Sequence, residues 1–215
     1  MTPAQYDAWY ETARGAWIGD TEFRLLTRLL HLQAGRRLLD VGCGTGWFTR
    51  RFAALPGLTV TGLDCDFESL VYARTHDVKA AYLQGDAQSL PFADASFDLL
   101  VSIAALCFVP KWPSALKEMI RVTRTQFVIG TLNRTSLLWR QKGRDGGSGA
   151  YRGAHWHTRE ELLSALATLP VTGLRFHSAV FLPNGSCFAR FAEKILPSGL
   201  CWGALLVVSG TKVQQ

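Results

Sequence analysis

Apolar residues along this chain follow two periods that take turns. Short runs rich in branched and apolar residues fall at 37–41, 59–64, 80–84, 97–103 and 126–132, and each reads as a strand. Between them the apolar positions recur at helical spacing. Residues 21–32 carry Phe23, Leu26, Leu29 and Leu30 on one helical face, and 47–54, 67–75 and 112–121 fill the later gaps. Thr158 followed three positions later by Glu161 is a capping box, so a helix opens there and runs to about Leu169. Strands alternating with helices predict a parallel sheet covered on both faces. Toward the C-terminus the pattern shifts. Residues 174–182 and 201–209 are strand-like, with only 188–195 helical between them.

The first strand-like run ends in an acid and then breaks into glycines at alternate positions: Asp40-Val41-Gly42-Cys43-Gly44-Thr45-Gly46. Glycine lacks a Cβ, so such a loop adopts unusual backbone angles and lets a ligand lie directly on the main chain. The helix that follows points its first N–H groups at that ligand. Spacing narrows the choice. A dinucleotide loop needs a third glycine where this chain has Trp47, or Thr49 if counted from Gly44 and Gly46. A phosphate-cradling loop needs a Gly-Lys-Ser/Thr ending, and no lysine occurs here. Two more acids sit at strand ends. Asp64 closes the second run, 24 positions after Asp40, and Gly85-Asp86-Ala87-Gln88-Ser89-Leu90-Pro91-Phe92 follows the third.

The glycine run, with its acid and spacing, resembles motif I of the class I S-adenosylmethionine (SAM)-dependent methyltransferases. It is close to the small-molecule branch that includes ubiquinone/menaquinone-biosynthesis-type enzymes. The resemblance implies a three-layer αβα sandwich, Rossmann-like, with a seven-stranded, mostly parallel sheet whose last strand is antiparallel. It implies SAM as methyl donor and S-adenosylhomocysteine as product. The loop Gly42, Cys43, Gly44 and Gly46 would lie against the amino-acid end of SAM, and Asp40 would orient the methionyl ammonium, usually through water. Asp64 would take the ribose hydroxyls, a task that suits a carboxylate with two acceptor oxygens. Cys65 and Asp66 would then stand near the adenine edge, although Asp66 also competes for the cap of the next helix. Asp86 would accept from the adenine amino group and the Ala87 N–H would meet a ring nitrogen. The fourth strand, with Ser102 near its end, would finish beside the ligand. Many relatives carry a His-His pair after this strand, and here Cys107 and Phe108 stand there, so one common base and any particular acceptor do not carry over.

Composition adds boundaries. A chain of 215 residues with 48% apolar content suits one globular domain, read here as residues 1–215 with a helical cap at 1–35. No basic region precedes an apolar run at the N-terminus, and the longest apolar stretch is too short for a membrane span. Five scattered cysteines, none in a C-x-x-C pair, point to a reducing cytoplasmic setting without a metal site.

Two regions outside the cofactor frame should hold the acceptor. Tyr6, Trp9, Tyr10 and Trp17 place aromatics at helical spacing near the N-terminus. In similar enzymes such a helix closes over SAM, and an aromatic face can hold a sulfonium. Tyr6 and Tyr10 are the cofactor candidates, Trp9 and Trp17 the acceptor candidates, with core packing as the alternative for the tryptophans. The second region, 134–157, is read as a long loop over the active site, glycine-rich and without helix or strand. Residues 134–159 hold six Arg or Lys and one acid, so nearly all of the chain's net charge of +6 is local to it. Arg144 and Arg152 there suggest an anionic small-molecule acceptor. His155, just before the capping box, is the candidate base, and His157 is read as structural. No catalytic residue is otherwise assigned, because the sulfonium is an activated donor and in-line positioning supplies much of the rate. The alternatives are a methyltransferase for RNA or protein, supported by the sequence pI near 9.3, and a SAM-binding protein without catalysis. No nucleic-acid partner is expected, since no recognition domain is visible.

Overall fold

The strands that the alternation predicts do assemble into one sheet. The computed structural model describes residues 2–213. The sheet contains β1 (Arg37–Val41), β2 (Thr59–Asp64), β3 (Ala81–Gln84), β4 (Phe97–Ile103), β5 (Thr123–Leu132), β6 (Val171–Ala179) and β7 (Leu205–Lys212) in the order β3-β2-β1-β4-β5-β7-β6. The first five are mutually parallel, while β7 runs antiparallel to both β5 and β6. The connection reverses direction between β1 and β4. In open α/β sheets that reversal leaves a crevice beyond the carboxyl ends of the strands.

Neighbouring residues of one strand feed opposite faces. Leu38 belongs to a core with Leu25, Leu26, Phe48 and Phe52, contributed by α2 (Ala13–Leu29) and α3 (Trp47–Ala53). Leu39 belongs to the other core, with Leu116, Met119, Leu162 and Leu166 from α5 (Trp112–Val122) and α7 (Arg159–Leu166). A strand's period of two thus glues a helical layer to each side of the sheet. The remaining helices are α1 (Pro3–Trp9), α4 (Phe67–His76), α6 (Leu137–Lys142) and α8 (Cys187–Ile195).

Three expectations need correction. The helix before the glycine loop begins at Ala13, capped by Thr12, and not at Thr21. The N-terminal aromatics therefore lie on two helices, because Tyr10 ends α1 and Trp17 lies on α2. The basic region is not a plain loop either. Ser136 caps α6 by accepting from the Trp139 N–H at 3.1 Å, and a 3-10 turn follows at Gly149–Tyr151. Its glycines act after the helix, with Gly146, Gly147, Gly149 and Gly153 all at positive φ. The capping box at Thr158 forms as read, although α7 ends at Leu166, earlier than Leu169.

Candidate cofactor and acceptor site

Beyond Val41 the chain turns at Gly42 with φ 79°. A Cβ at this position would lie 2.0 Å from the Cβ of Ala105, so only glycine lets the loop close on the segment after β4. At Gly44, φ 52°, a Cβ would meet nothing within 4 Å, and the loop opens onto free space. The Gly42 N–H donates to the Leu63 carbonyl at 2.7 Å, and the Gly44 N–H to Asp64 Oδ2 at 2.7 Å. Asp64 Oδ1 accepts from the Asp66 N–H at 2.9 Å. Asp66 in turn caps α4, accepting from the Glu68 N–H and the Ser69 hydroxyl. The two acids have separate work. Asp66 holds a helix, and Asp64 joins the tip of β2 to the glycine loop.

A cleft of about 480 Å³ opens on this rim at the sheet's reversal point, and Tyr6, Gly42, Asp64 and Cys65 line it. Asp86, Ala87 and Gln88 after β3 and the run from Ile103 to Leu106 after β4 complete the wall. Asp86 accepts from the Gln88 N–H at 2.8 Å, which fixes its carboxylate at the cleft edge. Ala104 takes φ 57°, and its N–H donates to the Gly130 carbonyl at 2.8 Å. A non-glycine residue in this region is strained, and such strain gathers at functional sites. The glycine opening, the carboxylate at the strand tip and the size of the cleft fit an adenosyl ligand.

Other predicted cofactor residues stand apart from that wall. Asp40 is 1% exposed, and its Oδ2 accepts from the Thr49 hydroxyl at 2.7 Å. Burial pushes its carboxyl up to about 7, opposed by the Thr49 bond and helped by the charge of Asp64. A cation on the loop above would restore its negative charge. Cys43 directs its side chain toward Gly62 and the small cluster of Leu70, Ala73 and Tyr82, and burial raises its thiol. Gly46 starts α3 under the Tyr82 hydroxyl. Ser102 is enclosed, with its hydroxyl unpartnered, while its neighbours Ile103 and Ala104 reach the cleft. The structure therefore does not bring the Ser102 side chain to the cofactor side. Tyr10 is also buried, stacked on Trp47 at 4.2 Å and edge-on to Tyr6 at 5.9 Å. Burial holds its phenol well above the usual range, so it buttresses Tyr6 as a neutral ring.

The sequence reading missed the group that fastens the cap. Asp7, buried beside Tyr6, accepts two 2.7 Å bonds from Arg50 and one of 2.9 Å from the Thr45 hydroxyl. One carboxylate thus pins α1 to the glycine loop and to α3. An acid on an amphipathic helix gives no hint of this, because the partner lies 43 positions away. Glu22 on α2 was missed as well. Its surroundings desolvate it, and with the nearby charge of Glu193 they push its carboxyl up to about 8. Its charge also bears on Tyr6, Tyr10 and Tyr151.

A second cleft of about 540 Å³ lies in the basic region, lined by Arg134, Trp139, Gly143, Arg144, His155 and Trp156, with Asp145 at its edge. The Arg144 guanidinium sits 5.7 Å from the centre of the Trp139 ring. Trp156 is 5% exposed, and its indole N–H has no partner. Arg134 and the His155 Nε2 each stand 3.6 Å from Glu161. Arg152 is exposed and is not on this wall. Trp9 packs edge-on against Tyr10, and Trp17 faces Gly185 and Arg190, and neither lines either of these two clefts. The ends of the region are clamped. The Arg134 N–H donates to the His157 carbonyl and the His157 N–H to the Leu132 carbonyl, both at 2.9 Å. His157 is fully buried, with Nδ1 3.8 Å from Cys107 Sγ. Burial, with His155 close by, lowers its imidazole to about 3, and burial pushes the Cys107 thiol up to about 12. Both are neutral framework groups. The backbone N–H of His155 reaches the Cys107 carbonyl at 2.8 Å, which ties the second cleft to the segment lining the first.

A reversal-point cleft with a glycine loop and a strand-tip carboxylate defines a Rossmann-like nucleotide-binding protein. Comparison with known proteins narrows the class. A methyltransferase domain model matches residues 39–127. A malonyl-[acyl-carrier protein] O-methyltransferase from Erwinia pyrifoliae is 42% identical over 127 residues, 54% of this chain and 48% of that protein. An uncharacterized protein from Mycobacterium bovis is 35% identical over 206 residues, 94% of this chain and 68% of the relative. Among solved structures, a SAM-dependent methyltransferase from Thermotoga maritima, described as a possible histamine N-methyltransferase, superposes with TM-score 0.79. It shares 24% identity, with 98% of this chain and 96% of that one covered. The chain belongs to the class I SAM-dependent methyltransferases. It spans about half the length of the acyl-carrier-protein methyltransferases it matches.

Proposed function

We propose that this protein transfers the methyl group of SAM to a small-molecule acceptor bearing an anionic group, by in-line displacement. The observation that carries the reading is Asp64, a carboxylate at the tip of β2 that lines the cleft while receiving the glycine-loop N–H. SAM, when bound, supplies a methyl carbon on a positively charged sulfur that leaves as a neutral thioether. The chain's own groups bind, orient and exclude water. Asp64 receives the ribose hydroxyls, Asp86 the adenine amino group, and the Ala87 N–H a ring nitrogen. The Gly42–Gly46 loop carries the amino-acid end, with Asp40 beneath it as the countercharge. Tyr6 closes the cleft from α1 and presents an aromatic face to the sulfonium.

The acceptor reading draws on the second cleft. Arg134, Arg144 and the free N–H of Trp156 offer donors to a carboxylate or phosphate. His155 stands on the same wall and can take a proton if the nucleophile is a hydroxyl. The relatives named for malonyl-[acyl-carrier protein] act on an acidic acyl group, in keeping with this chemistry. A cytoplasmic setting belongs to the same reading, supported by five free cysteines. No helix among the described residues is long and apolar enough to cross a membrane.

Calorimetric titration with SAM, S-adenosylhomocysteine and NADH tests the proposal, with Asp64→Ala alongside. We expect both sulfur ligands to bind, NADH to give no heat, and the variant to lose about 10- to 100-fold in affinity, the worth of hydrogen bonds to a charged acceptor. Absence of binding by either sulfur ligand would overturn the reading.

A further inference from the structure

Helix α8 is turned inside out. Its small residues Ala189 and Ala192 are buried against the body, while Phe188, Phe191 and Ile195 are 70%, 58% and 62% exposed. These three recur at helical spacing, so they form one outward stripe. Trp202, beyond the next turn, is 64% exposed. A surface helix ordinarily buries its large apolar residues, and a concentration of them in water marks an interaction surface.

Topology places this stripe on the reaction rim. The ends of β5 and β6, Leu132 and Ala179, both pair with Leu205, the first residue of β7. The chain therefore leaves β6 and re-enters β7 at the carboxyl ends of the parallel strands. Everything from 180 to 204 is an excursion on the side where the cofactor cleft opens. The exit is firmly built. Val180, β-branched, is held at φ 63°, and Glu193 accepts from the Val180 and Phe181 N–H groups at 2.9 Å each.

That internal bond also settles the charge. Glu193 is the only acid between Leu162 and the C-terminus, and it is spent on the backbone. The cations around the stripe are Arg14, Arg190 and Lys194. Among the described residues, Arg14 and Arg190 bond only carbonyl oxygens, and the side chain of Lys194 makes no ion pair. An exposed apolar stripe flanked by unneutralised cations suits the interface of an anionic bilayer, where aromatic rings enter the headgroup region and the cations stay among phosphates. A symmetric pairing of two copies through α8 would bring Arg190 and Lys194 toward their own counterparts, with no free acid on that helix to meet them.

We propose that α8 and Trp202 seat the reaction rim on an anionic phospholipid surface. The contact is peripheral, and it presents the cofactor side of the sheet to molecules held in or on the bilayer. It is independent of which acceptor is methylated.

The test is sedimentation of the full chain with vesicles of phosphatidylcholine alone or with added phosphatidylglycerol. Binding should require the anionic lipid and weaken with salt. It should fall by at least about tenfold in Phe188→Ser/Phe191→Ser and less in Lys194→Glu. Trp202 fluorescence should shift to the blue on binding, with Trp202→Phe as the control. These side chains are exposed, so the variants should keep the parent's Tm and SAM affinity. Lack of sedimentation with anionic vesicles overturns the proposal. Binding that ignores the phenylalanine pair does so too. Self-association lost in the phenylalanine pair, without vesicle binding, would assign the face to a second copy.

Discussion

The two clefts are built on opposite principles. The cofactor cleft is made of strand ends and the short turns that leave them, with main-chain groups bonded to one another and to acids two or twenty positions away. The second cleft is made of side chains from a short helix, the turn after it and the segment before the capping box, a region that reaches the sheet mainly through the clamp at Leu132–Arg134 and His157. Its charged side chains Arg134 and Arg144 are long and exposed, with Trp156 buried behind them. The first region can hold an invariant ligand because its geometry follows from the sheet. The second can change its ligand without disturbing the core, since loops on a rigid scaffold tolerate replacement.

The sharpest way to break the contrast is Gly42→Ala. The added Cβ meets Ala105 at a forbidden distance and takes a backbone angle costly for alanine. A loss of about 100-fold or more in SAM affinity is expected, measured by calorimetry. Affinity within about threefold of the parent would mean that the loop moves freely.

Asp7→Asn comes next. It removes the charge that two Arg50 bonds and Thr45 share. A loss of about 3 kcal/mol from a broken buried pair lowers Tm by about 5–10 °C. SAM affinity should fall by about tenfold as α1 loosens, whereas in a cleft closed without α1 it would not move.

Glu22 sharpens the comparison through pH. Its carboxyl is about 8 in the folded chain, above its ordinary value, because burial and Glu193 disfavour the charge. The folded state therefore holds the proton more tightly than the unfolded one. The stability this contributes is present below the ordinary carboxylate range and is lost as pH rises through 8. Glu22→Gln should raise Tm more at pH 8 than at pH 5, as thermal melts would show. An equal shift at both values would remove the assignment.

The smallest effects belong to the basic region. Arg144→Ala should raise KM for an anionic acceptor by about 3- to 10-fold while SAM affinity stays constant, and Arg152→Ala should do less, since it stands off the wall. A double variant, Arg144→Ala/Arg152→Ala, whose KM equals the parent's would remove the anionic-acceptor reading.

The legible parts of the chain were those set by local chemistry. The acids at strand ends, the glycine spacing and the Thr158 capping box each follow from a few adjacent residues, and each stands where it was read. The misreadings have a common cause. The aromatics from Tyr6 to Trp17 look continuous, but the chain bends after Tyr10 because the Thr12 side chain caps a new helix. Arg140 and Lys142 look like loop charges, yet Ser136 starts a short helix there. Ser102, one residue before the end of its strand, has an enclosed hydroxyl while Ile103 reaches the cleft, a distinction of one residue in the period of two.

Sequence alone determined the order of the strands and the helices between the first five of them, the opening of the glycine loop and the two acids at its margin, because those depend on main-chain preferences and near neighbours. Only the tertiary structure decided that Asp7 latches the cap to Arg50, that Asp40 lies beneath the loop instead of on the wall, and that α8 faces outward. Each of these depends on which distant group removes water from a side chain, and burial is a property of the assembled layers.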